Sequence, residues 1–307
     1  MQLIGYTADR MEGFQYMSTK KSILSYIGIL AGVCICIATT IFFYGMHQKQ
    51  NIKNIGNSSE NNLEVGSENS ADAKEPLQIL VLGDSIWDLV RDDTGVAALL
   101  EKELGNAVVY NLAIKGTQAA VIGAEDTSLI AMTEYITGKR ECALPNDVEA
   151  KKMLPDVPYE KMDYVILAYG LNDYFAGVKQ KNPNDYYDVT TYSGALCSGV
   201  MALQEVCPDA VFVIVSPTYC QGYSYGQVIH ESTSHDFGGG TLIDYTASAK
   251  AVSASFNAIF INSYDDMNIT IHNGEKYLID ATHLTEYGRK KYAENVANYI
   301  AEHERQR

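Results

Sequence analysis

The sequence predicts an α/β fold in which a parallel β-sheet is covered by helices on both faces, a sandwich of doubly wound type. Three observations predict it. Short apolar runs rich in β-branched residues recur across residues 77–307, each of a length suited to a strand buried on both faces. Stretches with helical spacing lie between them, so strand and helix alternate. Three of the runs also end in polar residues, and the ligands of such sheets bind beyond the carboxyl ends of the strands.

The elements follow in order along the chain. Residues 1–21 are a short N-terminal segment, expected on the cytoplasmic side. Residues 22–45 (SILSYIGILAGVCICIATTIFFYG) hold no charge, and a helix of that length, rising 1.5 Å per residue, matches the roughly 30 Å hydrocarbon core of a bilayer. This stretch reads as one transmembrane helix. It is longer than a signal-peptide apolar region of about 7 to 15 residues, and no small-x-small cleavage site closes it. Arg10, Lys20 and Lys21 precede it, Lys49 and Lys53 follow it, and the expected topology has the N-terminus inside and the bulk of the chain outside the cell.

Residues 46–76 are rich in Asn, Ser, Glu and Gly with almost no large apolar side chain, so ordering them would cost more entropy than burial could return. They are expected to be a flexible linker. Residues 77–307 then form one domain, with strands expected at 78–83, 107–113, 163–170, 210–217 and 258–264, and helices at 95–104, 127–136, 192–206, 242–257 and 285–300. Their charge narrows the function. The 23 basic against 38 acidic residues of the chain give a net charge of −15, borne almost wholly by this domain, which disfavours nucleic acid as a partner.

The strand ends carry the candidate chemistry. Gly83-Asp84-Ser85 places a serine directly after the first strand, on the rigid platform a nucleophile requires. Gly170-Leu171-Asn172-Asp173 follows the third strand, and an Asn amide can donate a hydrogen bond to an oxyanion without carrying charge. Gly116, in the loop after the second strand, can offer an unobstructed backbone N–H. Asp280-Ala281-Thr282-His283 precedes the last helix. Of the six histidines only His283 has an acid three residues earlier, where a carboxylate can accept from Nδ1–H and fix the tautomer of a general base.

These four blocks, in this order, resemble those of the SGNH hydrolases, also called the GDSL esterase/lipase family. The resemblance implies a three-layer α/β/α sandwich with a five-stranded parallel sheet, of flavodoxin-like type. It implies Ser85 as nucleophile, His283 as general base and acid, and Asp280 as its orienting partner. The oxyanion hole would come from the Ser85 and Gly116 N–H groups and the Asn172 amide, with no metal or organic cofactor. The chain departs from the usual first block: Ile86-Trp87-Asp88-Leu89 follow the serine where many members have a further glycine, which puts the shape of that lip in question.

The expected substrate is a small-molecule or glycan ester, with O-acetyl or another short acyl group on a saccharide favoured. Residues 219–242 are too polar for a greasy lipase lid. The 22 tyrosines could supply sugar-stacking platforms or simply be half-buried core residues. A lysophospholipase or thioesterase, a saccharide O-acyltransferase and a non-catalytic glycan-binding module are the alternatives. Cys142, Cys197, Cys207 and Cys220 show no C-x-x-C spacing, and a helix between Cys197 and Cys207 keeps them beyond the roughly 7 Å a disulfide spans, so free or partly paired thiols are expected.

Overall fold

The computed structural model describes residues 75–123, 127–224 and 227–307. The expected transmembrane helix at 22–45, the segment before it, and the linker up to residue 74 lie outside the described residues. Among the described residues no helix is long and apolar enough to cross a membrane.

The strands are β1 (Leu77–Gly83), β2 (Ala107–Asn111), β3 (Tyr164–Ala168), β4 (Val211–Val215), β5 (Gln221–Ser224), β6 (Gln227–Glu231) and β7 (Ile259–Ile261). Five of them form a parallel sheet in the order β2-β1-β3-β4-β7. Ile79 to Leu82, Val165 to Leu167 and Val213 to Val215 are fully buried, as central strands covered on both faces must be. The five predicted strands are thus present; β1 begins one residue earlier than its apolar run, and the other four are shorter than theirs.

The helices are α1 (Ser85–Asp88), α2 (Val96–Leu104), α3 (Leu129–Ile136), α4 (Glu149–Met153), α5 (Leu171–Phe175), α6 (Tyr192–Gln204), α7 (Leu242–Ser255), α8 (Ser263–Asp266), α9 (Gly274–Tyr277) and α10 (Glu286–Gln306). They pack in two groups, α2 against α10, and α6 against both α3 and α7. Their starts are set by local chemistry. Ser128, Thr191 and Thr285 each accept a backbone N–H of the first turn, and Thr241 with Asp244 forms a capping box.

Besides the short helices α1, α4, α5, α8 and α9, which the sequence reading did not place, the last helix and the segment 221–231 depart from it. Helix α10 runs to Gln306, six residues past the predicted end. Its last turns are polar but laced by Glu302 to Arg305 and Gln306, and Tyr164 at the start of β3 holds His303 and Glu304 at 2.8 Å each. Residues 221–231, read only as a polar excursion, contain the antiparallel hairpin β5–β6. Of the described tyrosines, Tyr164, Tyr169, Tyr174, Tyr192, Tyr219, Tyr245 and Tyr292 are buried in the core, whereas Tyr186, Tyr187 and Tyr287 are exposed. All four described cysteines are free thiols.

The first crossover, β1 to β2, runs to one side of β1, and every later one steps through β3, β4 and β7 on the other. The order therefore reverses between β1 and β3, and a crevice opens beyond their carboxyl ends. Ser85 follows β1 and Asn172 follows β3, at that switch point.

Candidate active site

The first wall of the crevice is α1. Asp84 is its N-cap: the carboxylate accepts the Ile86 N–H at 3.0 Å while the Asp84 carbonyl accepts from Trp87 and Asp88 at 3.2 and 3.1 Å. Ser85 is thereby the first residue of the turn, mostly buried, with its backbone N–H free of any intrahelical acceptor. Trp87 anchors the turn from below. Its ring is fully buried edge-on to Tyr292 of α10, and its Nε1–H donates to the Tyr292 hydroxyl at 3.3 Å.

The second wall is the turn before α10. Buried Leu278 and Leu284 form an antiparallel bridge, the Ile279 N–H donates to the His283 carbonyl at 2.9 Å, and the Thr285 N–H to the Tyr277 carbonyl at 2.7 Å. Within this loop Asp280 works twice. One carboxylate oxygen accepts the Thr282 and His283 backbone N–H groups at 2.7 Å each, and the other meets His283 Nδ1 at 2.7 Å. A carboxylate only accepts, so Nδ1 carries the proton and Nε2 is left as an acceptor. His283 Nε2 lies 3.0 Å from Ser85 Oγ, positioned to accept the hydroxyl proton. Ser85, His283 and Asp280, which the family resemblance implies as nucleophile, base and orienting partner, are therefore joined in one series of hydrogen bonds. The β5–β6 hairpin braces the turn, because the Gln221 N–H donates to the Ala281 carbonyl at 2.9 Å.

The third wall joins the loops that carry Gly116 and Asn172. The Asn172 amide donates one N–H to the Thr117 carbonyl at 2.9 Å, and the Gln118 amide donates back to the Asn172 carbonyl at 3.3 Å. Fully buried Asp173 accepts the Ala119 and Ala120 N–H groups at 3.0 Å each. Both glycines in this wall are required by conformation. Gly116 has φ +77° at an exposed position, and Gly170, just ahead of α5, has φ +133° with the Tyr192 hydroxyl and Pro217 crowding the place a Cβ would take.

Burial and charge tune the site. Burial of Asp84 outweighs its hydrogen bond from Ile86 and pushes its carboxyl up to about 7. At His283 burial disfavours the charged ring, but the Asp280 hydrogen bond and charge, with the Asp84 charge, outweigh it and hold the imidazole above its ordinary range. Asp280 is shifted the other way: burial is outweighed by its bonds to His283 and Thr282, which keep it ionised. The sequence reading missed the titration of Asp84, Trp87 as a floor and Gln221 as a brace. Only Asp84 left a signal, as an acid held next to a strand-end serine. Among the described residues no group of three or more His, Cys, Asp or Glu is placed to hold a metal ion.

Fold and site together define a class, an α/β enzyme built to hydrolyse esters. The family model for GDSL-like Lipase/Acylhydrolase matches residues 79–296, and the chain belongs to that family. No curated protein matches it by sequence. Solved structures with a similar fold include a protein from Lactobacillus plantarum, at 20% identity and TM-score 0.56 over 75% of this chain and 99% of that one. A possible lipase from Chitinophaga pinensis is similar at 16% identity and TM-score 0.54, over 74% of this chain and 98% of the other. At these identities the likeness is one of fold.

Proposed function

We propose that this ester hydrolase works through Ser85, His283 and Asp280, and that its substrates carry an acetyl or other short acyl group on a saccharide. The observation that carries the mechanism is the hydrogen-bonded series Asp280–His283–Ser85, at 2.7 and 3.0 Å. Ser85 Oγ attacks the ester carbonyl carbon as His283 Nε2 takes its proton, and the carbonyl oxygen becomes an oxyanion. The Ser85 and Gly116 N–H groups and the Asn172 amide donate to that oxygen. Collapse breaks the bond to the alcohol, which leaves with the proton from His283, and an acyl-serine remains. Water, deprotonated by His283, releases the carboxylic acid and restores the serine. Asp280 stays ionised throughout and stabilises the imidazolium.

The substrate class rests on the surroundings. The segment 219–242 is a polar hairpin and loop, not an apolar cover, and the strong net negative charge favours neutral esters over anionic ones. The reading includes a location: residues 22–45 anchor the chain in the cell membrane as a single pass, with the catalytic domain outside on its linker.

The test is a graded series of p-nitrophenyl esters and acetylated sugars, with Ser85→Ala beside the native protein. The expected result is preference for acetate over decanoate, acetate release from the sugars, and no turnover by Ser85→Ala at an unchanged melting temperature. Preference for decanoate would favour the lipid-directed alternative, and transfer products on adding a sugar acceptor would favour acyl transfer. Full activity of Ser85→Ala would overturn the mechanism.

A further inference from the structure

The departure in the first block has a structural counterpart. Asp88 and Arg91 stand three and six residues after Ser85, where α1 ends and turns away. Arg91 donates Nε–H to one oxygen of Asp88 at 2.6 Å, and its two remaining nitrogens to the carbonyls of Asn111 and Ala113 at 3.0 and 2.7 Å. The other Asp88 oxygen accepts the Lys115 backbone N–H at 2.7 Å. Trp87, between Ser85 and Asp88, offers its carbonyl to the Asn111 amide at 2.8 Å. Four bonds thus run from the nucleophile's own turn and its immediate sequel to residues 111–115.

The path of that loop shows what the bonds are for. Up to Ile114 it follows β1, with the Leu112 N–H on the Val81 carbonyl at 2.8 Å and the Ile114 N–H on the Gly83 carbonyl at 3.0 Å. At Lys115 it leaves the strand, and Gly116 takes up φ +77°. The Lys115 N–H is held by Asp88, and the chain is caught again only at Thr117, whose hydroxyl returns to the Ile114 carbonyl at 2.7 Å. The Gly116 N–H therefore sits between two tethers, one of them Asp88. A planar guanidinium satisfies three acceptors in fixed directions at once, which a lysine ammonium does not reproduce. The pair is largely shielded from water, with side-chain exposures of 22% and 16%, so it holds a defined geometry.

We infer that Asp88 and Arg91 are positioning residues for ester hydrolysis, a clamp that sets the Gly116 N–H against the Ser85 oxyanion site. The clamp takes over the ordering of the lip that the missing glycine leaves open. The inference rests on the reading of Gly116 as an oxyanion donor. It concerns the lip alone, because no bond of the clamp reaches His283 or Asp280.

Arg91→Lys and the nearly isosteric Asp88→Asn, made in the full chain, test it with p-nitrophenyl acetate. Misplacing one donor costs on the order of 10²-fold, so kcat should fall about 10- to 100-fold in Arg91→Lys and less in Asp88→Asn, with KM within about threefold of native. A boronic acid that forms a tetrahedral adduct on Ser85 should lose affinity by the same factor as kcat/KM, since both report the oxyanion site. The acid limb of the pH profile should stay in place, because the base is untouched. A merely structural role would lower the melting temperature and leave the ratio of boronate affinity to kcat/KM free to drift. Native turnover in both variants, or a moved acid limb, would overturn the clamp while leaving the esterase reading intact. A native protein that cleaves no acyl ester would sink both.

Discussion

Asp84→Asn is the perturbation whose outcome the structure defines most fully. The native carboxyl is 2% exposed, and its burial raises it from 3.8 to about 7. Asn keeps the oxygen that caps α1 through the Ile86 N–H and removes only the charge. The sign follows from proton counts. With a folded value above the unfolded one, the folded state binds the extra proton, so its stabilising effect is whole below about pH 4 and is lost as pH rises toward and through about 7. A shift of this size amounts to about 4 kcal/mol, of which about 3 kcal/mol falls between about pH 5 and 8. Urea unfolding of both proteins across that range should show the stability of Asp84→Asn, relative to native, rising by about that much. Where Asp84 is ionised, the same substitution takes a negative charge from beside His283, so the acid limb of kcat/KM should move down in pH. Parallel stability curves for the two proteins from about pH 5 to 8 would refute the assignment of an Asp84 carboxyl that titrates across that range in the folded state.

Four further outcomes rest on the same geometry. The imidazole of His283 is held above its ordinary range and must be neutral to act as base, so kcat/KM should rise through an apparent value above about 6.5, and Asp280→Asn should lower kcat by on the order of 10⁴ through loss of the tautomer, read from pH–rate profiles. Asn172→Ala should cut kcat about 10²- to 10³-fold, while loss of its bond to the Thr117 carbonyl costs only about 1 kcal/mol and shifts the melting temperature a few degrees by calorimetry. Gly170→Ala, forced into φ +133° against the Tyr192 hydroxyl at 3.0 Å, should destabilise by about 1–3 kcal/mol in denaturant titration; a neutral result would show that the turn ahead of α5 relaxes freely.

What was legible in the sequence tracks what is local. The five strands could be read because the central ones are buried on both faces and their apolar runs are unbroken. The end of β1 was placed correctly, and the other four ends overran because hydrophobicity reports burial, not pairing. Tyr169 is buried like the strand before it, yet it has left the ladder and its carbonyl accepts the Tyr192 hydroxyl at 2.9 Å. The last turns of α10 were invisible for the opposite reason, being polar in composition and held by contacts to β3 far away in sequence. The tyrosine count left two readings open, and many of the tyrosines fill the core here.

The site divides along the same line. Asp280 and His283 could be paired from spacing because one carboxylate shapes the three-residue turn with one oxygen and orients the ring with the other, so motif and geometry coincide. The lip could not be read that way. Asp88 to Lys115 and Arg91 to Asn111 and Ala113 span 20 to 27 residues, and nothing in the order of residues announces them. A first block without its usual glycine therefore reads as a defect in one dimension and as a clamp in three.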